Sequence, residues 1–185
     1  ENLAHSHGNE LRRFIVGLET RGRLDRVLEF LPSDEEQVVR LAQGQGLTRP
    51  ELAVVMAYAK SEMKDVLAAS KIIKDNYLAQ QVTTAFPATL EQQYPDELHG
   101  HRLRREIVAT EYANEMVNYM GITYVQRMME STGSSAGQVV QAYTVARDIF
   151  GMLPLWKALE ALDYKVPSKL QMIMMKRVMR MVRHA

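Results

Sequence analysis

His99–Met129, HGHRLRREIVATEYANEMVNYMGITYVQRMM, is the stretch whose periodicity decides the fold. Stepping about 100° per residue around a helical wheel puts Leu103, Ile107, Thr110, Asn114 and Val117 on one stripe. Val108, Tyr112, Met116 and Tyr119 fall on the opposite stripe, with Glu106, Glu111 and Glu115 at its flanks. A helix apolar on two faces is covered from two sides. The pattern therefore predicts a central helix near residues 101–119, with other helices packed around it.

Outward from that segment, helix signals recur in both directions. Glu10 to Glu19 carries Leu11, Phe14, Ile15 and Leu18 at helical spacing, and Leu24 to Leu31 reads as a short turn into Pro32. Ser33 with Glu36, and Thr48 with Pro50 and Glu51, form capping boxes. The helix opened by Thr48 should run to about Ala69 and bury Leu52, Val55, Met56, Ala59, Met63, Val66 and Leu67. Asp75 to Ala85 reads as a further helix, and Pro87 and Pro95 permit new starts. Gly121 should bend or break the central helix, Gly133 fits a left-handed closure, and Ser134 or Ser135 opens Ala136–Phe150. Gly151 should close that helix; Pro154–Leu162 carries the lone tryptophan, Trp156, and Pro167 starts the last helix. No segment alternates at period two between turn residues, as a strand would. The expectation is an all-α, multi-helix bundle of about ten helices with no β-sheet, a single domain over residues 1–185.

Composition narrows the function classes. There is no cysteine among the 185 residues, which excludes disulfides, thiolate metal sites and a cysteine nucleophile, and fits a reducing cytoplasm. No apolar run approaches the roughly 18 residues of a membrane span. The first residue is Glu rather than Met, as expected of a piece of a longer chain. The net charge of +1 hides an asymmetry: six Lys or Arg and no acid follow from Lys165 onward, leaving a net of −5 on the remaining 164 residues. A mildly acidic body with one basic terminal helix is a poor nucleic-acid profile.

Several motifs invite a functional reading, and most have a plainer one. Gly44-Gln45-Gly46 follows a helix rather than a strand and lacks a third glycine at the offset that dinucleotide binding needs. Thr132–Gly137 lacks the lysine of a phosphate loop. His5-Ser6-His7 and His99-Gly100-His101 point about 200° apart if helical, so surface or capping roles are expected over a metal site. Arg102, Arg104 and Arg105 open the central helix; they could bind an anion or acidic partner, but ion pairing with Asp96, Glu97, Glu106 and Glu111 is the expectation. Asn114 lies within an apolar stripe, where a hydrogen bond to Thr110 or a facing carbonyl would set the packing register. In the last helix, Leu170, Met172, Met174, Met175, Val178, Met179, Met181 and Val182 share one broad half, with Lys169, Lys176, Arg177, Arg180 and Arg183 on the other. Packing on the acidic body or on a missing part of the parent is expected, ahead of membrane binding. No nucleophile–base set or metal cluster emerges, so no catalytic, cofactor-binding or metal-ligating residue is assigned.

An ordered series of blocks resembles the C-terminal region of the large bacterial NAD-specific glutamate dehydrogenases. It runs from Gly22–Arg26 and Glu29–Pro32 through Gly46–Ala53 and Ala57–Lys60 to His101–Ile107. Ala113-Asn114, Val117-Asn118, Gly121, Thr132-Gly133, Ala142-Tyr143, Ala146-Arg147, Leu155-Trp156 and Leu162-Asp163 continue it. Tyr119-Met120 and Val55-Met56 depart from the pattern. The resemblance implies a parent that oxidatively deaminates L-glutamate to 2-oxoglutarate and ammonia while reducing NAD, in a homo-oligomer. It also implies that the glutamate-binding lysines and the nucleotide fold lie in an upstream dehydrogenase core. This region would then be a non-catalytic structural or regulatory domain that packs on that core or a neighbouring subunit. Arg102, Arg104, Arg105, Asn114, Asn118, Lys176, Arg177 and Arg180 are its candidate structural or interaction residues. A free-standing helical adaptor or membrane-surface module using the basic last helix is the alternative.

Overall fold

Side-chain caps place the helix starts. Ser33, Thr48 and Ser135 each accept from the amide three residues on, while Glu36, Glu51 and Gln138 reach back to the cap amide. Each box satisfies two donors that a helix start leaves unbonded. The computed structural model describes residues 7–184, so His5 and Ser6 lie outside it. Within them α1 (Gly8–Thr20), α2 (Asp34–Ala42) and α3 (Arg49–Ala69) are followed by two 3-10 helices, Lys71–Lys74 and Leu78–Ala85. Then come α4 (Ala88–Gln93), α5 (Pro95–His99), α6 (Arg104–Met120), α7 (Tyr124–Thr132), α8 (Ala136–Ile149), α9 (Met152–Glu160) and α10 (Ser168–His184). Among the described residues there is no strand, and the architecture is all-α.

Helix α6 is the axis. Helix α3 packs along it and the Leu78–Ala85 helix covers another side. The buried arc combines Val108, Tyr112 and Met116 with Ala109, Ala113, Val117 and Met120. The two alanines let neighbouring backbones approach, and the bulky residues fill the space on either side. The second stripe is weaker than its periodicity suggests. Leu103 is 49% exposed because the helix begins only at Arg104, and Ile107, Thr110 and Asn114 are half-buried.

Other differences have local causes. Asp75 accepts from the Tyr77 and Leu78 amides, and Leu78–Ala85 winds as a tight 3-10 helix rather than an α-helix. Helix α3 buries Val55, Ala59, Met63 and Leu67, while Met56 and Val66 flank that arc and face solvent. Helix α9 starts at Met152, two residues before Pro154, because first-turn amides have no intrahelical partner to lose. In α10 the covered edge is narrow: Gln171, Val178 and Val182 are buried against α8 and α9, whereas Leu170 and Met181 are exposed.

Two turns depend on unusual backbone. Gly121 ends α6 at φ 90°, ψ 163°, a region that is almost glycine-only. Between α1 and α2, Leu31 N bonds Arg26 O at 3.0 Å and Phe30 N bonds Val27 O at 3.2 Å. That is the bond pair of a Schellman closure, with Phe30 at φ 54° in the left-handed position usually held by glycine. A phenylalanine there costs roughly 1–2 kcal/mol of strain.

A Cβ added at Gly121 would meet nothing nearer than Met179 Cε at 3.9 Å, so substitution there tests backbone strain alone. Gly121→Ala should lower unfolding free energy by about 1–3 kcal/mol in chemical denaturation. Gly133→Asn, at φ 70° and ψ 8°, should cost less, because asparagine tolerates the left-handed region.

Candidate functional site

The densest chemistry in the molecule is a buried charged cluster between α6, α8 and the Leu78–Ala85 helix. Glu115 on α6 is 9% exposed and Arg147 on α8 is 7% exposed. Arg147 Nη1 donates to Glu115 Oε1 at 2.8 Å and to Oε2 at 2.9 Å. Tyr143 Oη donates to Glu115 Oε1 at 2.7 Å, and Gln81 Nε2 donates to Oε2 at 2.9 Å. The other edge of the guanidinium grips Asp148, with Nε to Oδ1 at 2.7 Å and Nη2 to Oδ2 at 3.0 Å. Tyr77 Oη completes the chain by donating to Asp148 Oδ2 at 2.5 Å.

Local sequence explains the convergence. Tyr143 and Arg147 are four residues apart and share a face of α8, while Asp148 follows at the helix edge. Burial disfavours the Arg147 charge, yet the bonds it donates to Asp148 and Glu115 outweigh it and raise the guanidinium above its ordinary range. Burial likewise opposes the Asp148 charge, and Arg147 with Tyr77 overcomes it, holding that carboxyl low. Burial, then the Glu115 charge and hydrogen bond, drive Tyr143 upward. Burial, with the Glu115 and Asp148 charges adding to it, lifts the neighbouring Tyr112 to about 12 against the opposing pull of Thr144 and Arg147. Both oxygens of Glu115 are occupied by donors from Arg147, Tyr143 and Gln81. The cluster acts as a clamp, with no free base or nucleophile to present to a substrate.

The residues singled out from sequence do not converge on one place. Arg102 is exposed and unpaired among the described residues. Arg104 is half-buried with its Nε unbonded, and Arg105 donates through Nε to the Ala68 carbonyl in the last turn of α3. Among the described residues the expected pairing of these arginines with Asp96, Glu97, Glu106 and Glu111 is absent. Arg105 reaches the negative end of a helix instead, and Glu111 accepts from Thr84 at 3.1 Å. Asn114 is half-buried and has no side-chain hydrogen bond among the described residues, and Thr110 bonds the Glu106 carbonyl of its own helix instead. Asn118 is exposed. On α10, Lys176 is half-buried, and Arg177 and Arg180 are exposed. The histidines act locally: His7 pairs with Glu10, His99 meets the Pro95 carbonyl, and His101 accepts from Leu103 N. Among the described residues no group of three His, Cys, Asp or Glu side chains could hold a metal ion, and no helix is long and apolar enough to cross a membrane.

Residues 44–185 match the protein family described as glutamate dehydrogenase, C-terminal. The chain belongs to this family. It is 49% identical over 176 residues to the NAD-specific glutamate dehydrogenase of Pseudomonas aeruginosa, covering 95% of this chain and 11% of that protein. The enzyme of the same name from Halomonas elongata is 49% identical over 174 residues, again 11% of its length, and 94% of this chain. That of Mycobacterium tuberculosis is 35% identical over 143 residues, 77% of this chain and 9% of its own. The chain thus spans about a tenth of the length of the curated relatives it matches. Among the described residues, Gly44-Gln45-Gly46 of this glutamate dehydrogenase C-terminal region does not supply a Rossmann-type dinucleotide turn. That binding mode needs a strand, a Gly-rich turn and a helix, whereas Gly44 stands at φ 76° just after α2.

From sequence the cluster is hidden, because Glu115 reads as a flanking charge on α6 and Arg147 as an ordinary last-turn cation on α8. A Tyr-x-x-x-Arg pair on an otherwise apolar helix face was the available signal.

Removing one partner of the clamp strands the other charge. Arg147→Met or Glu115→Leu should each destabilise the fold by about 3–5 kcal/mol. The double variant should recover much of that loss in a double-mutant cycle read by denaturant unfolding. The titration limbs follow from the shifts. Asp148 lies below its unfolded value, so its stabilisation is present above the ordinary aspartate range and is lost as pH falls through the folded value. Tyr112 lies above its unfolded value, so its contribution is complete below about pH 10 and disappears as pH rises towards about 12. Melting temperature against pH should therefore fall on both sides, with Asp148→Asn blunting the acid limb and Tyr112→Phe the alkaline one.

Proposed function

We propose that this unit is the non-catalytic C-terminal domain of an NAD-dependent dehydrogenase that oxidatively deaminates L-glutamate to 2-oxoglutarate and ammonia. The observation that carries this reading is the 49% identity over 95% of the chain to relatives named NAD-specific glutamate dehydrogenase, of which it spans only 11%. The closed state of the Glu115–Arg147 cluster supports the non-catalytic part, since every donor and acceptor there is engaged within the domain. Glutamate and NAD are bound in the upstream core of the same polypeptide, in a cytoplasmic homo-oligomer. The helical domain braces that core by packing on it.

A second reading, a membrane-surface module, draws on exposed Arg177, Arg180, Leu170 and Met181 along α10. Burial of Val178 and Val182 weighs against it, because the edge a lipid surface would take is already covered by α8 and α9.

The full-length parent should produce NADH from glutamate and NAD, read by absorbance, and residues 1–185 alone should produce none. Turnover by the separate domain would overturn the non-catalytic reading. Co-sedimentation of the parent with anionic vesicles, lost on Arg177→Glu/Arg180→Glu, would favour the membrane module instead.

A further inference from the structure

Three apolar side chains on one turn stand almost wholly in solvent: Val27 is 85% exposed, Leu28 71% and Phe30 91%. Isolated exposed apolar residues are ordinary, but three within four positions of one built turn are not. The turn is held from beneath. Asp25 Oδ1 accepts from the Val27 and Leu28 amides, both at 3.0 Å. The buried Arg26 guanidinium donates to Glu19 Oε2 at 2.6 Å and to the Pro32 carbonyl at 3.1 Å. Tyr58 Oη donates to Glu29 at 2.5 Å, and Arg23 pairs with Asp65 at 2.5 Å. Every charged side chain from Arg23 to Glu29 is thus engaged inside the domain, and what projects outward is apolar. Phe30 also accepts a left-handed backbone that glycine would take without strain, and its exposed ring recovers almost nothing in return within the domain.

We propose that Val27, Leu28 and Phe30 form a plug that seats the domain in an apolar socket on the preceding part of its own polypeptide. The proposal rests on the reading above, in which this domain packs on an upstream core. The occupant follows from two findings. The relatives carry about nine-tenths of their length outside the region this chain matches. The family match covers residues 44–185, so the turn lies on the stretch of chain that leads from that match towards the remainder. A socket for this plug must be apolar, because the turn offers no unpaired charge to a polar one.

Hydroxyl-radical footprinting of the full-length parent tests the plug, with each residue's oxidation rate compared with its rate in the urea-unfolded chain. Leu28 and Phe30 should oxidise several-fold more slowly in the folded parent than their exposure in the domain allows. Phe30→Gly relieves the backbone while removing the ring, and should raise Leu28 oxidation in the parent several-fold. Leu28→Ser should expose Phe30 in the same way. If Leu28 and Phe30 react as free side chains while another face of the domain is protected, the plug is wrong and the packing reading stands. If no face of the domain gains protection, both fall. Protection that lapses on dilution to a monomeric parent would assign the socket to a second copy and overturn the same-chain proposal.

Discussion

The fold depends on a charged pair that would be costly if anything around it moved. Glu115 and Arg147 are both more than nine-tenths buried, and taking two such groups out of water costs several kcal/mol per ion unless geometry and hydrogen bonds compensate. Here the compensation comes from three separate elements. Tyr143 and Arg147 come from α8, Glu115 from the central helix, and Gln81 from the Leu78–Ala85 helix. Asp148 and Tyr77 extend the chain outward to the surface. The pair therefore works as a register lock: shifting α8 or the 3-10 helix by one residue would leave a buried charge without its partner.

An aromatic stack continues the lock into the C-terminal helices. Trp156 of α9, 2% exposed, lies over Tyr119 of α6 with ring centroids 4.5 Å apart, and over Tyr143 at 6.3 Å. Stacked rings of this kind contribute about 0.5–1.5 kcal/mol beyond their burial. Tyr143 thus joins the two systems, with its ring in the stack and its hydroxyl on Glu115. Helix α10 then closes over α8 and α9 by a narrow edge, tied by Gln171 Nε2 to the Leu159 carbonyl at 2.8 Å. Charge at the centre, rings around it and an amphipathic helix outside form one graded structure.

The inside and outside of the domain therefore differ in kind. Inside, the Glu115–Arg147 charges are matched to partners; outside, Phe30 and Tyr164 sit at positive φ while 91% and 100% exposed. An aromatic residue held in strained backbone and left uncovered gains nothing for an isolated domain. Such positions make physical sense when a larger polypeptide covers them, which agrees with a chain that spans a tenth of its relatives.

Periodicity and capping chemistry are local, so the sequence alone determined the all-α class, the central helix, the capping boxes at Ser33 and Thr48, and the glycine closures at Gly121 and Gly133. The ordered blocks from Gly22 to Asp163 were enough to point to the family that the match over residues 44–185 establishes. Side-chain partnership is not local. Arg105 could meet any of four nearby acids on paper, and only the approach of α3 takes it to the Ala68 carbonyl. Glu115 and Arg147 lie 32 positions apart, each looking like an ordinary helix-surface charge, until the packing of α8 on α6 removes water from both. Burial turns a surface charge into a clamp, and burial is a property of the assembled helices rather than of any one of them.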